Sequence, residues 1–95
     1  MSALEKTIVK AILRYLNALP GCRAVKQHGS AYSRAGAPDV SCVYRGQAYF
    51  FEVKRPGGEG PTPIQIEEMA RWTRAGAICA CVRSVAEVKA ILSSP

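Results

Sequence analysis

The chain has 95 residues, with 13 Lys or Arg against 7 Asp or Glu and a formal net charge of +6. Hydrophobic residues make up 48% and charged ones 21%. This favours a folded core, although a chain this short buries only about two thirds of its unfolded surface and would gain from a partner subunit. No stretch approaches the roughly 20 apolar residues of a membrane span. Met1-Ser2-Ala3-Leu4-Glu5-Lys6 has no basic segment leading into an apolar run, so a single cytoplasmic domain over residues 1–95 is expected. A basic protein there meets nucleic acid first, because neutralising phosphates releases counterions. Cys22, Cys42, Cys79 and Cys81 form no Cys-x-x-Cys pair and His28 is the only histidine, which argues against zinc and for cysteines as small hydrophobes.

Ser2-Ala3-Leu4-Glu5 reads as a capping box opening a helix from about Ala3 to Leu19, with Ile8, Val9, Ile12, Tyr15, Leu16 and Leu19 at helical spacing and Pro20-Gly21 as its stop. Glu5 then sits at the N-terminal end of the apolar stripe, as a cap, a site residue or both. Residues 22–27 suggest a short strand. Residues 28–37 form a small, polar loop in which Lys26, just before it, and His28, Ser30, Tyr32 and Arg34 offer phosphate donors and one stacking ring.

Pro38 to Arg45 reads as a strand turning at Arg45-Gly46-Gln47 into the aromatic strand Ala48-Tyr49-Phe50-Phe51-Glu52-Val53-Lys54. Alternation puts Phe50, Glu52 and Lys54 on one face and Tyr49, Phe51 and Val53 on the other. Counted from Gly46, Asp39 is seven residues away and Glu52 and Lys54 are six and eight, so a hairpin brings all three to one end. A Gly- and Pro-rich loop follows from Arg55 to Pro61. Thr62-Pro63-Ile64-Gln65 then opens a second capped helix, in which Gln65 shares the ambiguity of Glu5. That helix is expected to bury Ile66, Met69, Ala70 and Thr73 beside a Gln65, Met69 and Trp72 stripe and to end near Arg74. Ala77–Val82 reads as a strand buried on both faces and parallel to the aromatic one. Ser84-Val85-Ala86-Glu87 caps a last helix with Val88, Ile91 and Leu92 inward.

Two carboxylates from adjacent strands, Asp39 and Glu52, suit a hard divalent ion such as magnesium. The Val53 carbonyl would be a further oxygen ligand and Glu5 another, directly or through water. Lys54, on the face of Glu52, could orient an attacking water or stabilise charge on a phosphate.

These residues resemble a family. Gly36-Ala37-Pro38-Asp39, then Phe51-Glu52-Val53-Lys54-Arg55-Pro56-Gly57-Gly58, Thr62-Pro63-Ile64-Gln65 and Cys81-Val82-Arg83-Ser84 are similar to the virus-type replication-repair nuclease (VRR-NUC) domain of the PD-(D/E)xK superfamily, over nearly the whole chain. The resemblance implies an α/β restriction-endonuclease-like core, a mixed central sheet flanked by helices in the order αβββαβα. It implies Asp39 and Glu52 as metal ligands, Lys54 as the catalytic lysine, Gln65 as a support from the following helix and Glu5 as the acidic residue of the first. Stand-alone members are typical of phages and resemble Holliday-junction resolvases that act as homodimers. The expected activity is therefore a magnesium-dependent (or manganese-dependent), structure-selective DNA endonuclease acting on four-way junctions, with a flap, nick or nonspecific nuclease and a non-catalytic nucleic-acid-binding module as alternatives. Lys26, Ser30, Arg34, Arg45 and Arg55 are the expected DNA contacts.

Overall fold

A computed structural model describes residues 1–27 and 35–94. The elements are α1 (Ala3–Asn17), β1 (Cys22–Lys26), β2 (Val40–Tyr44), β3 (Gln47–Val53), α2 (Pro63–Arg74), β4 (Ile78–Val82) and α3 (Val85–Leu92). The four strands form one mixed sheet in the order β1-β2-β3-β4, antiparallel except for the parallel β3–β4 pair. This is the αβββαβα order and mixed sheet of a restriction-endonuclease-like core.

The core lies on one face of the sheet. Val9, Ile12 and Leu16 recur at three- and four-residue spacing along α1 and pack with Val88 of α3 against Val40, Phe51, Val53 and Val82. Removing Phe51 from water contributes about 2–3 kcal/mol. The opposite face of β3 meets α2, where Phe50 stacks on Trp72 with ring centroids 4.5 Å apart. The strand that carries Glu52 is thus covered on both sides.

Several expectations need correction. The hairpin loop has two residues, Arg45 and Gly46, with φ of +50° and +84°, and Tyr44 pairs with Gln47. Such left-handed turns match the strand twist, so β3 starts at Gln47 rather than Ala48. Helix α1 stops at Asn17, whose side chain accepts from Ala24 N–H at 2.9 Å and donates to Ala24 O at 3.0 Å. It thereby covers part of the free edge of β1, which local propensity does not reveal. In α2, Ile66 and Thr73 face outward and Glu68 is the one buried residue; of the two expected stripes, the one with Gln65 and Trp72 meets the sheet, through Glu52 and Phe50. Strand β4 is an edge strand with Ile78 exposed, so it is not buried on both faces.

The turn before Asp39 is held by packing. Gly36 has φ of +79°, and a Cβ there would stand 2.7 Å from Ile64 Cγ2 and 2.8 Å from Ile64 O. A backbone oxygen cannot move aside as a side chain can. Gly36→Ala is expected to cost about 2 kcal/mol or more, read as a lowered urea midpoint with unchanged m.

Candidate active site

The β2–β3 register pairs Val40 with Phe51, so one step further places Asp39 opposite Glu52 at the end of the hairpin. Asp39 Oδ2 accepts the Val53 N–H at 2.8 Å, which ties the carboxylate to the backbone of the neighbouring strand. Glu52 is 2% exposed, and its Oε1 accepts from Gln65 Nε2 at 3.1 Å. Its Oε2 is buried with no hydrogen-bond donor. Burial, together with hydrogen bonding to Asp39 and the Asp39 charge, raises the Glu52 pKa to about 8, against a smaller opposing effect of Lys54. Two acceptors facing each other in a dry place need a proton or a cation between them.

Lys54 Nζ stands 4.0 Å from Glu52 Oε1, at the outer limit of an ion pair, with its side chain 19% exposed. This contact is too long to neutralise Glu52 by itself. The lysine reaches toward solvent beside the pair, at the mouth of a cavity that Ser2, Glu5, Lys54, Arg55, Glu59, Gly60 and Thr62 line.

The two capping-box residues each serve twice. Gln65 Oε1 accepts the Thr62 N–H at 2.8 Å and closes the helix end, while its Nε2 reaches Glu52. Glu5 Oε1 accepts the Ser2 N–H, and its Oε2 accepts the Arg55 N–H, both at 3.1 Å. The Ser2 backbone bond lowers the Glu5 pKa most, burial opposes it next, and the Arg55 N–H adds a smaller lowering. The capping role expected of both is present, and each cap side chain makes a second bond that ties its helix to the end of β3.

Among the described residues, no group of three His, Cys, Asp or Glu side chains stands ready to hold a metal ion. Glu5 is the carboxylate that stays apart, because both its oxygens already accept backbone N–H groups; contact through water suits it better than direct ligation. Asp39 and Glu52 remain a fitting pair for a hard cation, with a buried oxygen that lacks a donor.

The expected DNA contacts divide. Arg55 is exposed at the cavity mouth, and Lys26 is exposed at the Asp39 end of β1, where Gln27 N–H donates to Asp39 O at 2.9 Å. Arg45 sits in the hairpin turn at the opposite end, beyond Gln47, which is itself five residues or ~17 Å along β3 from Glu52, and its guanidinium lies over Tyr44. It does not join this cleft, because a turn residue and the far end of its hairpin cannot meet. Ser30 and Arg34, like His28 and Tyr32, lie outside the described residues.

The chain is similar to a solved VRR-NUC domain at 30% sequence identity, with a TM-score of 0.78 and 96% of each chain covered. This chain belongs to the VRR-NUC family. A second VRR-NUC domain protein, at 14% identity and a TM-score of 0.72, shares the fold over 97% of this chain and 87% of its own. A scan against family models and a search of curated proteins return no match. The VRR-NUC assignment makes the cleft that of a nuclease domain. No helix of the described residues is long and apolar enough to cross a membrane.

Arg83, a half-buried residue directly after β4, appears in the sequence reading only within Cys81-Val82-Arg83-Ser84, with no role given to it. Its Nη1 donates to Arg55 O at 2.6 Å and Gly58 O at 3.2 Å, and its Nη2 to Glu59 O at 3.5 Å. An isolated arginine after a strand carries no signal of a loop partner 24 to 28 residues earlier.

Proposed function

We propose that this VRR-NUC domain is a magnesium-dependent, structure-selective DNA endonuclease that resolves four-way junctions as a homodimer. The observation that carries the metal reading is the pairing of half-buried Asp39 with buried Glu52, whose Oε2 lacks a donor, with Lys54 beside the pair. Asp39, Glu52 and the Val53 carbonyl would hold the ion, with Glu5 contributing through water. Bound there, magnesium would polarise the phosphate and make water more acidic.

The chain's own groups do the rest. Gln65 fixes the rotamer of Glu52 through its amide and leaves Oε2 to bind. The Val53 N–H fixes Asp39 in the same way. Lys54, held near solvent, orients the attacking water and places positive charge beside the phosphate as charge develops there. Arg55 at the mouth and the net charge of +6 draw the DNA backbone in.

One site cuts one strand, and a four-way junction is resolved by two symmetric cuts, which a two-fold dimer delivers. Val25 and Val43 are 46% and 50% exposed on the sheet face that α2 leaves open, beside Ala48 and Phe50. That apolar face is the surface we assign to the dimer.

The test is a cleavage panel with junction, flap, nicked and linear duplex DNA, in magnesium and in chelator, with sedimentation of the same protein. Paired symmetric nicks on the junction are expected, dependent on the metal and about 10³-fold slower for Asp39→Ala, from a particle of twice the chain mass. Equal cutting of all substrates would remove the junction selectivity. Salt-sensitive binding with no cutting under any condition would make the chain a binding module.

A further inference from the structure

We infer that Arg83 is a positioning residue of this nuclease site, which fixes the backbone directly after Lys54 and thereby sets where the Lys54 and Arg55 cations stand. The peptide that joins Lys54 to Arg55 is held by Glu5 Oε2, which accepts the Arg55 N–H at 3.1 Å. The next peptide is held by Arg83, whose Nη1 reaches Arg55 O at 2.6 Å. Two consecutive peptides are thus gripped from two different elements, one by an anion of α1 and the other by a cation at the end of β4. On the strand side, Lys54 N–H donates to Val82 O at 3.0 Å, so Lys54 and Arg83 are fixed to each other through β4 as well.

The same guanidinium reaches Gly58 O and Glu59 O, and it gathers the carbonyls of the loop around one planar fork. Gly58 N–H closes the turn onto Arg55 O at 3.1 Å. A Cβ on Gly58 would meet Arg55 Cγ at 2.7 Å and Arg55 Nε at 3.0 Å, so the Arg55 side chain lies folded against that turn. Arg83 is itself anchored, since its own N–H donates to Glu87 Oε2 at 2.6 Å. A lysine keeps the charge of Arg83 but cannot span three carbonyls, because its ammonium is a single point on a flexible stem.

The experiment compares wild type, Arg83→Lys and Arg83→Gln. Amide hydrogen exchange is measured at Arg55 and Gly58 with Phe51 as a core reference, alongside single-turnover cleavage in magnesium and DNA affinity over a range of salt. In both variants, exchange at Arg55 and Gly58 is expected to rise about 10-fold while Phe51 is unmoved. Cleavage is expected to fall about 10- to 100-fold with Kd changed less than about 3-fold, because a small misplacement of catalytic groups costs rate rather than binding. Arg83→Lys with wild-type rate would make Arg83 a charge and overturn the inference. Unchanged loop exchange in both variants would overturn it, as would equal loss of protection at Phe51, which marks a general stability role. The rate comparison rests on the nuclease reading; if wild type cuts no DNA, that reading fails and the exchange comparison alone decides for or against Arg83.

Discussion

Glu52→Gln is expected to abolish cleavage and, at pH 8 without metal, to make the protein more stable. Glu52 is 2% exposed, has one oxygen without a donor and faces Asp39, so an ionised carboxylate there is costly. An amide keeps the shape and can still accept from Gln65 Nε2 with its oxygen, and its NH2, in the place of the bare Oε2, can donate toward Asp39. Stabilisation of about 1–3 kcal/mol follows for the metal-free protein at pH 8, because a desolvated like-charge pair is removed. The same change removes an anionic metal ligand, so cleavage should fall at least ~10³-fold. Thermal melting in chelator and single-turnover assays in magnesium check the two halves. A variant that is both less stable and still active would show that Glu52 is an ordinary structural carboxylate. Opposite movement of stability and activity is the mark of a group kept for chemistry at the expense of the fold.

The second large effect is a linkage between pH and metal. The Glu52 pKa rises from 4.5 to about 8 on folding. Between those values the unfolded chain has released this proton and the folded chain still holds it. The folded state then binds more protons, so stability falls as pH rises through this window, by about 1.4 kcal/mol per unit at its steepest, and levels off above pH 8. Glu5, whose pKa is lowered chiefly by the Ser2 backbone bond, acts in the opposite sense and only in acid, where its contribution is lost as pH falls. Magnesium binds the ionised form, so it should raise the melting temperature at pH 8 and hardly move it at pH 5. At 100 times Kd the gain at pH 8 is about 2.7 kcal/mol. Denaturant titrations at pH 5, 6.5 and 8, with chelator or magnesium, measure this surface directly. Equal metal effects at pH 5 and pH 8 would place the bound ion elsewhere.

The residues differ in how visible they were before folding. Asp39 and Glu52 were legible because a hairpin converts sequence distance from its turn into spatial proximity, and an error of one residue in the turn still leaves them at the same end. Glu5 and Gln65 were legible as capping residues, since a capping box is local. Their second bonds, to Arg55 and Glu52, were not, because those partners are 50 and 13 residues away. The outward turn of Ile66 defeated the periodicity argument. Apolar spacing reports which residues could share a face, and of the two stripes it offered here, the one with Gln65 and Trp72 meets the sheet.

By itself, the sequence of this VRR-NUC domain determined the helices with their capped starts, the hairpin and the parallel return of β4, because each depends on short-range patterns and on connections that permit few topologies. It also determined which end of the hairpin collects the carboxylates. The tertiary structure alone decided that Glu52 is buried with a bare oxygen, that Glu5 is spent on backbone N–H groups, and that Arg83 grips the loop behind Lys54. Burial and hydrogen-bond partnership are properties of several elements at once, and no single stretch of chain encodes them.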